Sequence, residues 1–247
     1  MRHLLSFEER VVSIAENSER LCGLADELLE ASIPTCPGWS GRQLLEHVAG
    51  VFTFFSHQLA TGDPERRREP PAYSSEEQSE PVEWLAAAAE VLVESLGDLG
   101  PDEPCWNWSG VDLDSGWVAR RMALEVAVHR YDGELGVGDP RPVSTLLALD
   151  GIDERLEVFL RPELTEAPGA SLGGPICLSC EDVSASWVVE AAGGRLKVRE
   201  CAGPASAVLR GSASQLFLFS WNRIAPESLE LTGDPEVARA WSVLPSG

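Results

Sequence analysis

Basic charge is scarce in this chain. Its 247 residues carry 19 Lys and Arg against 40 Asp and Glu, a formal net charge of -21. Binding to nucleic acid or to an anionic membrane surface requires clustered cations that neutralise phosphates. The basic cluster Arg66-Arg67-Arg68 is enclosed by Pro64-Glu65 and Glu69-Pro70-Pro71 and soon followed by Glu76, Glu77 and Glu80, so it reads as a solvated loop. No nucleic-acid or membrane partner is expected. Long apolar runs are also missing: none approaches the roughly 20 residues that span a bilayer, and the first ten residues lack the apolar core of a signal peptide. The expected compartment is the cytoplasm, where Cys22, Cys36, Cys105, Cys177, Cys180 and Cys201 would be reduced thiols. Cys177-Leu178-Ser179-Cys180 spells CxxC, but it sits in a strand-like stretch with no second such pair and no helix start behind it, which argues against a redox or zinc motif.

What is present is ordinary globular content, 44% hydrophobic, arranged in two patterns. Helical periodicity predicts a first helix over Phe7 to Leu29, stopping before Pro34. A second begins after Ser40, a plausible N-cap three residues ahead of Gln43, and runs to Thr61-Gly62. A polar loop spans Gly62 to Pro81. A third helix covers Pro81 to Leu99, and the Trp-rich loop Pro104-Cys105-Trp106-Asn107-Trp108-Ser109-Gly110 leads to a fourth over Trp117 to Leu135. A further helix, Val143 to Leu160, closes this half as a bundle over residues 1–162. Pro162 to Pro175 reads as a linker. Beyond it the pattern turns strand-like at Ile176 to Ser179, Ser186 to Glu190, Arg195 to Arg199 and Ala207 to Arg210, with a Gly193-Gly194 turn. A helix to Arg223, a strand at Leu229 to Leu231 and a helix at Pro235 to Trp241 follow. The fold class is α+β: a four-helix bundle, then a small α+β domain over residues 176–247.

Three residues stand out chemically. Glu125 and His129 are four apart in the fourth helix, so both lie on one face, with Cβ atoms roughly 6 Å apart. Val118, Met122, Glu125, Val126, His129 and Asp132 recur at helical spacing, which puts the carboxylate and the imidazole within an apolar stripe. His47 follows Leu44 and Leu45 and precedes Val48, Val51 and Phe52. A buried carboxylate is costly without a partner. A divalent metal held by His47, Glu125 and His129 would supply one and would keep a coordination position open, as catalytic zinc does. A hydrogen-bonded core histidine beside an ordinary Glu–His helical pair fits the same spacing.

Pro34-Thr35-Cys36-Pro37-Gly38-Trp39-Ser40, with Leu44 and His47, closely resembles the "P-x-C-P-G-W-[ST]-x-x-x-L-x-x-H" segment of the mycothiol-dependent maleylpyruvate isomerase family, a branch of the DinB-like metal-binding bundles. Arg120 to Asp132 resembles that family's second segment, "R-R-x-x-x-E-x-x-x-H-R-x-D". The stretches Leu209 to Leu216, Trp221-Asn222-Arg223 and Leu231 to Asp234 are similar to its smaller C-terminal domain. The resemblance implies a DinB-like four-helix bundle and the ligand set His47, Glu125 and His129 around zinc or another divalent metal. It also implies that Asp132 orients a ligand imidazole and that Arg223 reaches the site to bind substrate or thiol. Leu124 departs from the pattern, since many relatives carry His there.

The implied cosubstrate is mycothiol, the low-molecular-weight thiol of actinobacteria. A thiol of pKa about 8.5 is largely protonated at neutral pH, and coordination to zinc deprotonates it. The thiolate then adds to a small electrophile and leaves again, which is isomerisation, or displaces a leaving group, which is transfer. Both remain open. The rival class is a metal-stabilised, non-catalytic binding or regulatory protein whose fourth ligand comes from Cys36, His57 or Asp132, although His57 lies about 15 Å along the helix axis from His47. Hydrolysis by metal-bound water would need a general base, for which Glu46 is the weak candidate.

Overall fold

The computed structural model describes residues 5–69, 80–167, 169–199 and 204–244; Cys201 and half of the polar loop, 70–79, lie outside the described residues. The chain is α+β and divides into two compact units, Leu5–Arg141 and Pro142–Gly247.

The first unit is built on four long helices, α1 (Phe7–Cys22), α3 (Gly41–Thr61), α4 (Pro81–Leu99) and α5 (Ser115–Val137), with a one-turn helix α2 (Ala25–Leu28) after α1. The single first helix expected from the sequence is broken at Gly23, which caps α1 at its C-terminus. The starts follow capping chemistry. Ser6 with Glu9, and Ser40 with Gln43, form reciprocal capping boxes, Pro81 opens α4, and the Asp114 side chain accepts the Trp117 N–H. Gly62 and Gly138 close α3 and α5 in the left-handed conformation. Helix α3 packs on α4 and α5, and α1 packs on α4 and α5. The apolar core is formed by Ile14, Leu21, Leu44, Leu45, Val48, Phe52, Leu92 and Val126, among others.

Helix α5 is buried on more than the stripe that periodicity indicates: Leu124, Val128, Arg130 and Glu134 are covered as well as Val118, Met122 and Val126. The buried Glu134 carboxylate is satisfied by the Arg20 side chain, by Arg130 Nη1 at 2.5 Å and by the Arg141 N–H at 2.8 Å. Arg130 Nε also donates to Asn17 at 2.8 Å. A charge this deep is tolerable only with partners of this kind. Gly41 sits where α3 meets α2, and a Cβ there would come within 1.9 Å of the Leu28 carbonyl oxygen.

The second unit is a five-stranded mixed sheet with helices. Its first helix, α6 (Thr145–Glu154), widens into a π-helical stretch over Arg155–Leu160 and continues as α7 (Arg161–Glu166). Two expectations shift here. The helix assigned to the bundle groups with this unit, because α6 packs on the later helix α8 (Ala213–Ser220). It also runs through Pro162, where a linker was expected; the proline falls just after the π-helical stretch, at the start of α7. The strands are β1 (Ile176–Cys180), β2 (Ser186–Ala192), β3 (Arg195–Arg199), β4 (Ala207–Gly211) and β5 (Glu230–Gly233), with α8 (Ala213–Ser220) after β4 and α9 (Pro235–Arg239) after β5. The sheet order is β3-β2-β1-β4-β5. Only β1 and β4 are parallel, Leu178 lying opposite Leu209. Gly193 and Gly194, at φ 59 and 72, turn the β2–β3 hairpin as the sequence predicts.

Cys177 and Cys180 lie three apart on β1, so their side chains leave opposite faces of the strand. Burial and the Asp114 charge push the Cys105 thiol up to about 12. Among the described residues, no helix is long and apolar enough to cross a membrane.

Candidate metal centre

The site lies in the helical unit, between α3 and α5. His47 is in the second turn of α3, and Glu125 and His129 are successive on one face of α5. His47 Nε2 is 3.0 Å from Glu125 Oε1, and His129 Nε2 is 3.4 Å from the same oxygen. Among the described residues, their ligand atoms form a group lying within 4.8 Å of one another. Ligands 2.0–2.2 Å from a tetrahedral zinc stand about 3.3–3.5 Å apart. The three residues therefore fit a divalent ion with little rearrangement.

Glu125 and His129 are each held from behind. Arg121, one turn earlier on α5, donates Nη2 to Glu125 Oε2 at 2.6 Å, leaving Oε1 for the two imidazoles. His129 Nδ1 lies 3.0 Å from Asp132 Oδ2. With that nitrogen carrying the proton, Nε2 presents its lone pair, the usual carboxylate–histidine–metal arrangement. Asp132 is fully buried, and its other oxygen accepts the Thr35 hydroxyl at 2.6 Å.

The loop Pro34–Gly38 supplies one wall. The Trp39 N–H returns to the Cys36 carbonyl at 3.0 Å, with Gly38 at φ 86. This is a type II turn, in which proline suits the second position and glycine the third. The turn brings the Trp39 ring to 5.0 Å from the His47 ring and 6.5 Å from the His129 ring. The physical content of Pro37-Gly38-Trp39 is thus a tight turn that delivers an indole onto two imidazoles. His47 is the most exposed of the three candidate ligands, at 36% of its side chain.

Glu125 and His129 shift each other's titration in opposite directions. Burial alone would raise the Glu125 carboxyl, but the His129 and Arg121 charges and the hydrogen bonds from both histidines hold it well below the usual carboxylate range. Burial alone would lower the His129 imidazole, but the Glu125 charge and hydrogen bonds with Asp132, Cys36 and Glu125 raise it well above its usual value.

Residues 12–133 match the family model described as "Mycothiol maleylpyruvate isomerase N-terminal domain". The helical unit belongs to this family. Two solved structures share its fold, the mycothiol-dependent maleylpyruvate isomerase at 14% identity and TM-score 0.63, and a mutant of it at 13% and 0.64. Each alignment covers 92% of this chain and 93% of the other. Among curated proteins, none matches this sequence.

The structure thus brings together His47, Glu125 and His129, with Asp132 behind them. Neither His57 nor Glu46 joins a ligand group among the described residues. Arg223 follows α8 in the other unit, where its Nη1 donates to the Trp221 carbonyl at 3.0 Å. Sequence reasoning gave no role to Arg121, Thr35 or Trp39. The first had a signal, an arginine one turn before a candidate carboxylate ligand. The other two stand in the Pro34–Ser40 segment that carries the family resemblance, but nothing local shows that Thr35 reaches Asp132, 97 residues away, or that Trp39 meets the His47 and His129 rings.

Proposed function

We propose that this protein is a mycothiol-dependent enzyme in which His47, Glu125 and His129 hold a divalent metal, zinc being the ion best suited to two imidazoles and one carboxylate. The observation that carries this reading is the convergence of two Nε2 atoms on one carboxylate oxygen, at 3.0 and 3.4 Å, with Glu125 held by Arg121 and His129 by Asp132. A bound ion of this kind supplies a Lewis-acid position at which a thiol loses its proton near neutral pH.

The chain's own residues do the rest. Arg121 fixes Glu125, Asp132 fixes the His129 tautomer, and Trp39 covers one side of both rings against water. Three protein ligands leave a four-coordinate ion one position for the thiol sulfur. The second substrate is a small electrophile. Membership of an isomerase family supports cis–trans isomerisation by reversible thiolate addition, with thiol transfer as the neighbouring outcome. Arg223 enters the proposal as the cation for a substrate carboxylate, on the resemblance of Trp221-Asn222-Arg223 to the family pattern.

The test is cobalt substitution followed by titration with mycothiol or its glucosaminyl-inositol cysteine precursor. A sulfur-to-cobalt charge-transfer band is expected, lost with the metal. In Arg223→Ala, metal content is expected to persist while KM for the electrophile rises. A cobalt spectrum indifferent to thiol, with four protein ligands already in place, would replace the enzyme by a metal-stabilised binding protein.

A further inference from the structure

His129 is a ring with two occupied faces. Its Nε2 looks toward Glu125 and His47, and its Nδ1 toward Asp132. Behind the first ligand group, Cys36, His129 and Asp132 form a second, again with one ligand atom from each lying within 4.8 Å of the others. Cys36 Sγ is 3.6 Å from Asp132 Oδ2, the oxygen that faces Nδ1 at 3.0 Å. With nitrogen or oxygen at 2.0–2.2 Å and sulfur at 2.3 Å, the edges of a tetrahedral site run about 3.3–3.7 Å. These separations meet that within a few tenths of an ångström. Thr35 engages Oδ1 of Asp132 and so leaves Oδ2 as the inward atom. Cys36 is half-buried on a loop whose Pro34, Pro37 and Gly38 are exposed, which gives an ion access from solvent.

We infer that Cys36, Asp132 and Nδ1 of His129 form a second metal position, selective for thiophilic ions such as cadmium, and that it competes with the His47–Glu125–His129 position for one imidazole. The selectivity follows from the donors. The first set has no sulfur and suits a borderline ion, whereas a thiolate draws soft ions.

The competition follows from proton accounting. A neutral imidazole offers one lone pair. When Nε2 ligates, the proton resides on Nδ1 and is donated to Asp132. When Nδ1 ligates, that proton resides on Nε2 and faces Glu125 Oε1. Binding at the second position therefore places the ring proton on Nε2 and releases the Cys36 thiol proton to solvent. The two positions thus cannot both use the neutral ring. The competition rests on the proposed function; the sulfur-containing set stands on its own geometry.

The experiment titrates the full metal-stripped chain with cadmium ion alone and follows the ultraviolet cadmium–thiolate charge-transfer band. In the wild type the band should saturate at about one equivalent. It should vanish in both Cys36→Ser and Cys36→Ala. In cobalt-loaded protein, cadmium should erase the cobalt spectrum at concentrations at least tenfold lower in the wild type than in Cys36→Ser. A band that survives both Cys36 variants, or equal displacement curves, overturns the inference. Normal cobalt uptake with no cadmium–thiolate band in the wild type would remove the second position and leave the proposed function standing. A band without any cobalt uptake would do the reverse.

Discussion

Arg121 and Glu125 face each other one turn apart on α5, joined by an N–H···O contact of 2.6 Å, with only 6% of the Arg121 side chain and 16% of the Glu125 side chain exposed. The carboxylate is therefore aimed at the two imidazoles by its own helix. Replacing Arg121 by Met should keep the fold and lower metal affinity by about 10- to 100-fold, the range typical for groups that orient a ligand. Competition against a chromogenic chelator measures it. Unchanged affinity would show that Glu125 needs no such support.

Loss of a ligand itself should be more severe. Protein purified without a His-tag is expected to carry close to one equivalent of divalent metal, falling sharply in Glu125→Ala and in His129→Ala. Elemental analysis decides this, and full metal retention by both variants would remove the site.

Asp132→Asn separates orientation from ligation. An amide still fills the space between Thr35 and His129 but no longer offers a charged acceptor to Nδ1. Metal content at saturating ion should stay near one equivalent, while affinity falls about 10- to 100-fold.

The metal-free protein should show a pH signature of the Glu125–His129 pair. Glu125 has a depressed folded pKa, so its contribution is complete above its unfolded value, about 4.3, and is lost as pH falls through the folded value. His129 has a raised folded pKa, so its contribution is complete below about 6.5 and is lost as pH rises through the folded value. Denaturant titrations of wild type and Glu125→Gln should therefore differ most between about pH 4.3 and 6.5. A pH-independent difference would refute the pairing.

Two glycines test the backbone. An alanine at Gly38 meets no atom within 4 Å, but φ is 86 there, so the cost is conformational, about 1–2 kcal/mol. At Gly41 the conformation is helical, yet a Cβ would lie 1.9 Å from the Leu28 carbonyl oxygen. Overpacking against backbone there should cost about 1–3 kcal/mol or more. Asparagine should partly rescue position 38, where the left-handed region tolerates it, and not position 41.

By itself the sequence determined whatever is set within a few residues. The Ser40–Gln43 capping box, the Gly193-Gly194 hairpin turn, the start of α4 at Pro81 and the shared face of Glu125 and His129 all follow from local backbone geometry, and each is present in the fold. The strand-like half reads as a sheet because its periodicity changes from helical to alternating. Strand order is different in kind. Nothing local tells β1 to pair in parallel with β4 across the β2–β3 hairpin. Nor does periodicity reveal which core a helix joins, since the apolar face of α6 serves α8 as readily as a bundle. The candidate site divides along the same line. Its ligand types were legible, but the approach of His47 to Glu125, 78 residues away, and of Thr35 to Asp132, 97 residues away, exists only once α3 and the loop before it pack on α5. Side-chain spacing along one helix is fixed by its 3.6-residue turn, whereas contacts between helices are fixed by how their surfaces fill space.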